Sequence, residues 1–130
     1  MALKVELKPN ERIIIGTVVI RNEEQRTRFF IEGQAPILRE KDILTPASAD
    51  TPARKIYLAV QLMYLAGDPT TQHGVYFDLV RDFLQAAPSS LPIVSEINNF
   101  ILSSELYKAL KSAKKLIAYE AELFENAKRV

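Results

Sequence analysis

The stretch DTPARKIYLAVQLMYLAG, residues 50–67, decides the fold of this chain. Residues 56–66 carry no charge, and Gln61 is their one strongly polar side chain. Thr51 offers a capping hydroxyl ahead of a proline that is tolerated at the first helical position. Gly67 can end a helix because glycine readily adopts the left-handed conformation. The stretch therefore predicts a long helix that is apolar nearly all round.

A helix of this kind must be covered on most of its surface. Exposed apolar area costs about 25 cal/mol per Å², so a bare face on such a helix would be strongly unfavourable. One interpretation is a central core helix, packed by other helices on one side and by a sheet on the other. The other is a subunit interface that shares the burial. We therefore expect a homo-oligomer, and a dimer first among closed assemblies.

The N-terminal third shows a periodicity of two, which is typical of half-buried strands. Leu3, Val5 and Leu7 alternate with charged residues and are followed by a Pro-Asn turn. The run RIIIGTVVIRN is rich in β-branched residues around Gly16, which fits either one bent strand or two short strands that meet at a turn. RTRFFIEG and APILRE are further strand candidates. These segments predict a small antiparallel sheet.

Helical signals begin after residue 44. Thr45 stands before a proline, as Thr51 does, and so gives a second helix-start signal. Apolar residues recur at helical spacing in VYFDLVRDFLQ, in PIVSEINNFIL and from about residue 104 to 128, where the last apolar stripe includes Phe124. The sequence thus predicts an α+β fold, a small N-terminal antiparallel β-sheet followed by a bundle of about four helices. We expect a sheet lobe over residues 1–45 and a helical lobe over residues 51–130, joined in one cooperative domain.

The composition excludes most kinds of thiol and metal chemistry. The chain has 130 residues, no cysteine and one histidine, so thiolate nucleophiles and most metal sites are ruled out. His73 lies in the polar run DPTTQHGV and is expected in a solvated loop, and no glycine-rich phosphate loop is present. We expect no enzyme activity, no metal and no cofactor. The charge-free run is too short for a membrane span and the N-terminus lacks a signal-peptide core, which predicts a cytoplasmic protein.

Basic residues on the predicted sheet are the main functional signal. The net charge is only +1, with the slight excess of lysine and arginine in residues 1–55. Strand alternation puts Arg26, Arg28 and Phe30 on one face, and guanidinium groups with an aromatic ring are what single-stranded RNA binds. The alternative is that these arginines only keep an exposed strand soluble. A second basic stripe on the last helix, expected to be a solvated face, comprises Lys108, Lys111 and Lys115.

Three segments resemble the flagellar biosynthesis repressor family FlbT. They are LKVELKPNERIIIGTVVIRN, ILREKDILTPASADTPARKIYLAVQLMYL and YKALKSAKKLIAYEAELF, and the resemblance covers almost the whole chain apart from residues 66–100. The resemblance implies a post-transcriptional regulator of flagellin expression. It would associate with the leader region of flagellin mRNA and control its translation and decay, as a repressor or, in some members, as an activator.

The N-terminal sheet also resembles a second family, the carbon storage regulator, a small dimeric RNA-binding β protein. VELKPNERIIIG and APILREKDIL carry this resemblance. The late arginine of that family falls on Arg39, and the second of its two early basic residues falls on Lys8. The first falls on Leu7, which departs from the pattern. The resemblance implies RNA contacts at Lys8 and Arg39.

Together, these observations predict RNA binding through a basic face of the sheet. Arg54 and Lys55 lie in the first helical turn, where the helix dipole favours an anion. The alternative is a protein-interaction adaptor or chaperone-like factor in flagellar assembly, which would bind another flagellar regulatory protein and affect RNA only indirectly. The near-neutral charge favours this alternative. The predicted RNA-binding residues are Lys8, Arg26, Arg28, Phe30, Arg39, Lys41, Arg54 and Lys55.

Overall fold

The computed structural model describes residues 2–128 and confirms the predicted α+β order. The chain divides into two compact units, residues 1–43 and 44–130. Residues 129 and 130 of the predicted helical lobe lie outside the described residues. Within the described residues the strands are β1 (Ala2–Leu7), β2 (Arg12–Ile15), β3 (Val18–Arg21), β4 (Thr27–Glu32) and β5 (Ile37–Arg39), and the helices are α1 (Pro52–Ala66), α2 (His73–Ala86), α3 (Leu91–Leu102) and α4 (Leu106–Lys128).

Two small antiparallel sheets form the N-terminal unit. β1 pairs with β4, and β2 lies between β3 and β5 in the second sheet. Alternation sends Val5 and Leu7 of β1 to the same face as Phe29, the partner of Val5 on β4. The buried residues Val5, Leu7 and Ile13 form the core of this unit, with half-buried Phe29 and Ile31 packed against them. The opposite face of β1 and β4 carries charged residues together with the exposed Phe30.

The run around Gly16 forms two short strands, not one bent strand. Ile15 of β2 is paired with Val18 of β3, which leaves a two-residue turn at Gly16 and Thr17. Gly16 has φ +63°, as the first central residue of a type II′ hairpin turn requires. Asn22 fastens the other end of the hairpin, since its side-chain amide donates to the Lys8 and Gln25 carbonyls, both at 2.9 Å.

Helix α1 is the core helix of the second unit. The Thr51 hydroxyl accepts a hydrogen bond from the Arg54 N–H at 3.2 Å, and Gly67 ends the helix at φ +66°, as predicted. α1 packs against α2 and α4, and α4 also packs against α3. Ile56 and Val60 are fully buried, whereas Leu62 is 41% exposed. Helices of its own unit therefore bury much of the apolar helix and leave one stripe accessible.

Three local expectations were wrong. The Thr45 hydroxyl forms a hydrogen bond with Ser48 in an isolated turn and does not begin a helix. The next helix begins only after Thr51. His73 is the first residue of α2, with its ring 5.6 Å from that of Phe77, and does not lie in a solvated loop. Phe124, placed on the buried stripe of α4, is 51% exposed because the buried face of this helix follows Leu116 and Glu120.

Candidate nucleic-acid interface

Four of the eight predicted RNA-binding residues line one cleft of the sheet unit. The cleft has a volume of about 610 Å³ and is bounded by the ends of β1 and β5 and by the turns that follow them. Three carboxylates share the cleft with these four cations, so its net charge is small. The lining residues are Lys8, Arg26, Arg39 and Lys41 with Glu6, Glu11, Glu40 and Pro9.

Arg39 is anchored within the sheet unit, although its side chain is 39% exposed. Its Nη2 donates to the Glu6 carbonyl at 2.7 Å and to Oε2 of Glu11 at 3.3 Å. The other carboxylate oxygen of Glu11 accepts the Lys8 backbone N–H at 2.8 Å. This backbone hydrogen bond and the adjacent Arg39 lower the pKa of Glu11 below its ordinary value. Arg39 therefore fastens β5 to β1 and has little freedom to contact a ligand.

The remaining cations of the cleft are accessible. Nη1 of Arg26 lies 3.6 Å from a carboxylate oxygen of Glu6, and both side chains are more than half exposed, so this ion pair is weak and readily exchanged. Lys8 and Lys41 are exposed and make no ion pair with any residue of 2–128. Lys8, Arg26 and Lys41 are therefore the cleft cations that an external phosphate can reach.

Arg28 and Phe30 lie side by side on the outer face of β4. Arg28 is opposite Glu6, and Phe30 is opposite Lys4 on β1. The Phe30 ring is 65% exposed, and Arg28 makes no ion pair within the described residues. Since Glu6 also lines the cleft, this face and the cleft are continuous. The structure thus brings together six of the predicted residues.

Arg54 and Lys55 lie in the helical unit, at the start of α1. Nη1 of Arg54 lies 2.7 Å from Oδ1 of Asp50, and this ion pair lowers the pKa of Asp50. The Ala53 N–H, which would face an external anion, donates instead to Oε2 of the buried Glu120 at 2.9 Å. The helix end that sequence reasoning offered to a phosphate is therefore occupied by a carboxylate of α4.

Sequence reasoning missed three basic positions of the sheet unit. Arg12 and Arg21 are directly opposite each other on β2 and β3, are both exposed and have no ion-pair partner among residues 2–128. Like charges directly opposite in a sheet repel, so this pair favours a nearby anion. Lys4 lies opposite Phe30. Only the strand register, which joins positions distant in sequence, could have shown either arrangement.

The basic stripe of α4 is engaged within the helical unit. Nζ of Lys108 lies 2.9 Å from a carboxylate oxygen of Glu105, and Nζ of Lys115 lies 2.9 Å from one of Glu96. The Lys115 contact lowers the pKa of Glu96. Nζ of Lys111 lies over the Tyr107 ring, 5.1 Å from its centroid. These contacts are typical of a solvated helix face.

Metal-binding clusters and membrane-spanning helices are both absent from residues 2–128. No group of three or more acidic or histidine side chains in this part of the chain could hold a metal ion. None of the helices in the same range has the length and apolar character required to cross a membrane.

Within residues 2–128 the protein is thus of the α+β class, with a small sheet unit that carries a mixed-charge basic cleft, followed by a unit of four helices. The chain belongs to the family described as "Flagellar protein FlbT", which matches residues 3–124.

Several named relatives match this chain in sequence over nearly its whole length. It is 64% identical over 124 residues to a probable flagellum biosynthesis repressor protein FlbT of Bradyrhizobium diazoefficiens, covering 95% of this chain and 85% of the relative. It is 50% identical to the probable repressor of Rhodopseudomonas palustris, covering 95% and 98%. It is 35% identical to the flagellum biosynthesis repressor protein FlbT of Caulobacter vibrioides, covering 94% and 89%. No solved structure gives a significant match.

Proposed function

We propose that this protein regulates flagellin expression after transcription by binding the leader region of flagellin mRNA. Its relatives are named flagellum biosynthesis repressors, which supports a regulatory task in flagellar expression. The observation that carries the RNA mechanism is the continuity of the cleft cations with the exposed Arg28 and Phe30. Binding there would control translation and decay of the message in the cytoplasm.

Each part of this surface has a distinct role in the proposed complex. Lys8, Arg26 and Lys41 contact phosphates, and the exposed Phe30 ring stacks under an unpaired base. Arg28 beside it binds either a phosphate or a base edge. Arg39 holds the wall of the cleft in place through Glu6 and Glu11. This assigns Arg39 a positioning role, whereas sequence reasoning placed it among the phosphate contacts.

The three carboxylates of the cleft limit nonspecific attraction. Because each phosphate contact to single-stranded RNA contributes about −0.7 to the slope of log affinity against log salt, three or four contacts give a shallow dependence. We therefore expect low affinity for arbitrary RNA and selectivity that rests on unpaired bases stacked near Phe30. A regulator of one transcript requires this balance, since strong sequence-independent binding would distribute it over all messages.

Salt-dependent binding of the purified protein to a flagellin leader transcript tests the proposal. Lys8→Ala/Lys41→Ala should weaken binding and make the log–log salt slope shallower by about 0.7 for each lysine–phosphate interaction removed. Phe30→Ala should weaken binding by about 1–3 kcal/mol, the usual value of one base stacked on an aromatic ring, without altering the slope.

A matched control is available on α4. Lys111→Ala/Lys114→Ala removes the same charge from exposed positions and should leave affinity and slope almost unchanged. Equal losses of affinity in both double variants would show that binding follows net charge alone. Unchanged binding in Lys8→Ala/Lys41→Ala, with the fold intact, would remove the cleft from consideration.

A second candidate function, an adaptor for another flagellar regulatory protein, is favoured by a groove in the helical unit. The groove has a volume of about 420 Å³, and Phe83, Leu123 and Phe124 are among its apolar walls. Phe124→Asp tests this candidate in cells. Loss of flagellin regulation with unchanged RNA binding by the purified protein would support the adaptor, whereas normal regulation would count against it. In either function we propose that the chain acts as a homodimer.

A further inference from the structure

Strand β3 differs from its neighbours because its apolar side chains are exposed on both faces. Val18, Val19 and Ile20 are 53%, 60% and 41% exposed, respectively. Edge strands are usually protected by charged residues, proline or a bulge. β1 and β4 follow this rule, since each carries two charged residues. Within β3 the only charged residue is Arg21, at its end.

The backbone of β3 also presents an open edge. The Asn22 N–H donates to the Glu11 carbonyl at 2.9 Å, and hydrogen-bonded and non-bonded pairs alternate along an antiparallel ladder. Val19 and Ile14 are therefore a non-bonded pair. It follows that the N–H and carbonyl of Val19 point away from β2. Among residues 2–128 no further strand pairs with this side of β3.

We propose that β3 is a dimerisation edge at which two copies of the chain pair antiparallel about a two-fold axis through Val19. In this register Val19 exchanges two backbone hydrogen bonds with Val19 of the second copy, and Val18 faces Ile20. Every apolar side chain of β3 then meets an apolar partner. The result is a continuous six-stranded sheet built from two three-stranded ones. The inference is independent of RNA binding.

Charge placement agrees with this register. Arg21 of each copy faces Thr17 of the other, so the two arginines stand about 13 Å apart along the strands at about 3.3 Å per residue. No like charges meet across the junction, which is where strand pairing is most sensitive to repulsion. A second copy can therefore pair at this edge without placing like charges opposite each other.

The area involved sets the expected strength. A standard interface buries about 800 Å² on each partner, and one four-residue strand with three partly exposed apolar side chains offers less. We therefore expect a dimer that dissociates on dilution. Sedimentation over a range of concentrations should show a monomer–dimer equilibrium of the full chain, with dimer at the highest concentrations.

Two lysine substitutions distinguish this edge from the accessible stripe of α1. Val19→Lys places like charges opposite each other at the axis and should raise the dimer dissociation constant at least about tenfold. Leu62→Lys, at a position with exposure similar to that of Ile20, should leave the constant unchanged. The reverse result would place the interface on α1 and overturn the proposal, as would a monomer at every concentration.

A crosslinking experiment tests the register itself and does not depend on the lysine variants folding. The chain has no cysteine, so one introduced thiol reports one contact. Hydrogen-bonded partners have Cα atoms about 5.5 Å apart, within disulfide range, and Val19→Cys should form a linked dimer under mild oxidation. Ile20→Cys should not, because its two copies would be about 8 Å apart. Equal crosslinking of the two variants would overturn the proposed register.

Discussion

The side-chain amide of Gln61 makes two hydrogen bonds to the backbone of a single residue, Leu44. The Leu44 N–H donates to Oε1 of Gln61, and Nε2 of Gln61 donates to the Leu44 carbonyl, both at 2.9 Å. Gln61, the one strongly polar side chain of the charge-free run, thus makes the pair of hydrogen bonds that a neighbouring strand would make with Leu44, the first residue of the helical unit. It satisfies two backbone groups that are partly shielded from water.

Replacing Gln61 by leucine should lower the free energy of unfolding by about 1–3 kcal/mol. Leucine has about the same side-chain volume as glutamine but cannot form hydrogen bonds. The Leu44 N–H and carbonyl would therefore lose their partners, and such groups carry a desolvation cost of this size. Urea titration measures the change. Gln85→Leu, at an exposed position of α2, is the control and should shift the midpoint little. An equal effect in both variants would contradict the role of the Leu44 contact.

Arg39→Lys should destabilise the sheet unit by about 1–2 kcal/mol, allowing for partial solvent screening. A lysine ammonium lacks the planar fork that reaches both the Glu6 carbonyl and Glu11. Arg26→Lys, which alters an exposed ion pair, should change stability by less than about 0.5 kcal/mol. Hydrogen exchange of the β1 and β5 amides would show the difference, and equal protection in the two variants would refute the fastening role.

Glu11 should contribute to the acid sensitivity of the sheet unit. Its pKa is lowered from 4.5, chiefly by the Lys8 backbone N–H and also by Arg39. The folded carboxylate therefore binds a proton less readily than the unfolded one, so its stabilisation is present above pH 4.5 and is lost as the pH falls through the lowered pKa. Glu11→Gln should be less stable than the wild type at neutral pH, and this difference should shrink in acid. A difference that is constant with pH would contradict the assignment.

Glu120→Ala should destabilise the helical unit by about 1–3 kcal/mol. It removes the buried acceptor of the Ala53 N–H together with a negative charge at the positive end of α1. Glu120→Gln, which keeps an acceptor oxygen, should lose less. Glu122→Ala, exposed on the same helix, serves as the control. Thermal unfolding that ranks Glu120→Gln below Glu120→Ala would disprove the acceptor role.

The intact chain should unfold in a single transition. A unit of about 43 residues is close to the lower limit for independent stability, so we predict that it unfolds together with the helices. All five tyrosines lie in the helical unit, and Phe29→Trp adds a reporter to the sheet unit. Tyrosine and tryptophan signals should give one denaturant midpoint. Two separated midpoints would show that the units fold independently.

Local sequence patterns predicted the elements of this fold well. Alternation identified β1 and β4, and Thr51 and Gly67 marked both ends of α1, because these signals depend on neighbours within one turn or one strand. The same reasoning failed at Thr45, where an equivalent cap motif is followed by a turn. A capping residue favours a helix but cannot create one without an apolar face to bury after it.

The candidate site was less predictable because its chemistry depends on distant partners. Arg39 contacts Glu11 across 28 positions and the Glu6 carbonyl across 33, so no local pattern distinguishes it from an exposed arginine. The exposed pair Arg28 and Phe30, by contrast, followed from alternation alone. The sequence could therefore show which side chains share a face. It could not show which of them make contacts within the fold and which stay free for a ligand.

The carboxylate of Glu120 can also be viewed as a tethered ligand. Because α4 holds it against the Ala53 N–H, its effective concentration at the start of α1 is set by the fold and is not diluted with the solution. A free phosphate must displace a competitor that never diffuses away. The first turn of α1 is thus closed to weakly binding anions, and RNA contacts near Arg54 and Lys55 would have to come from their side chains alone.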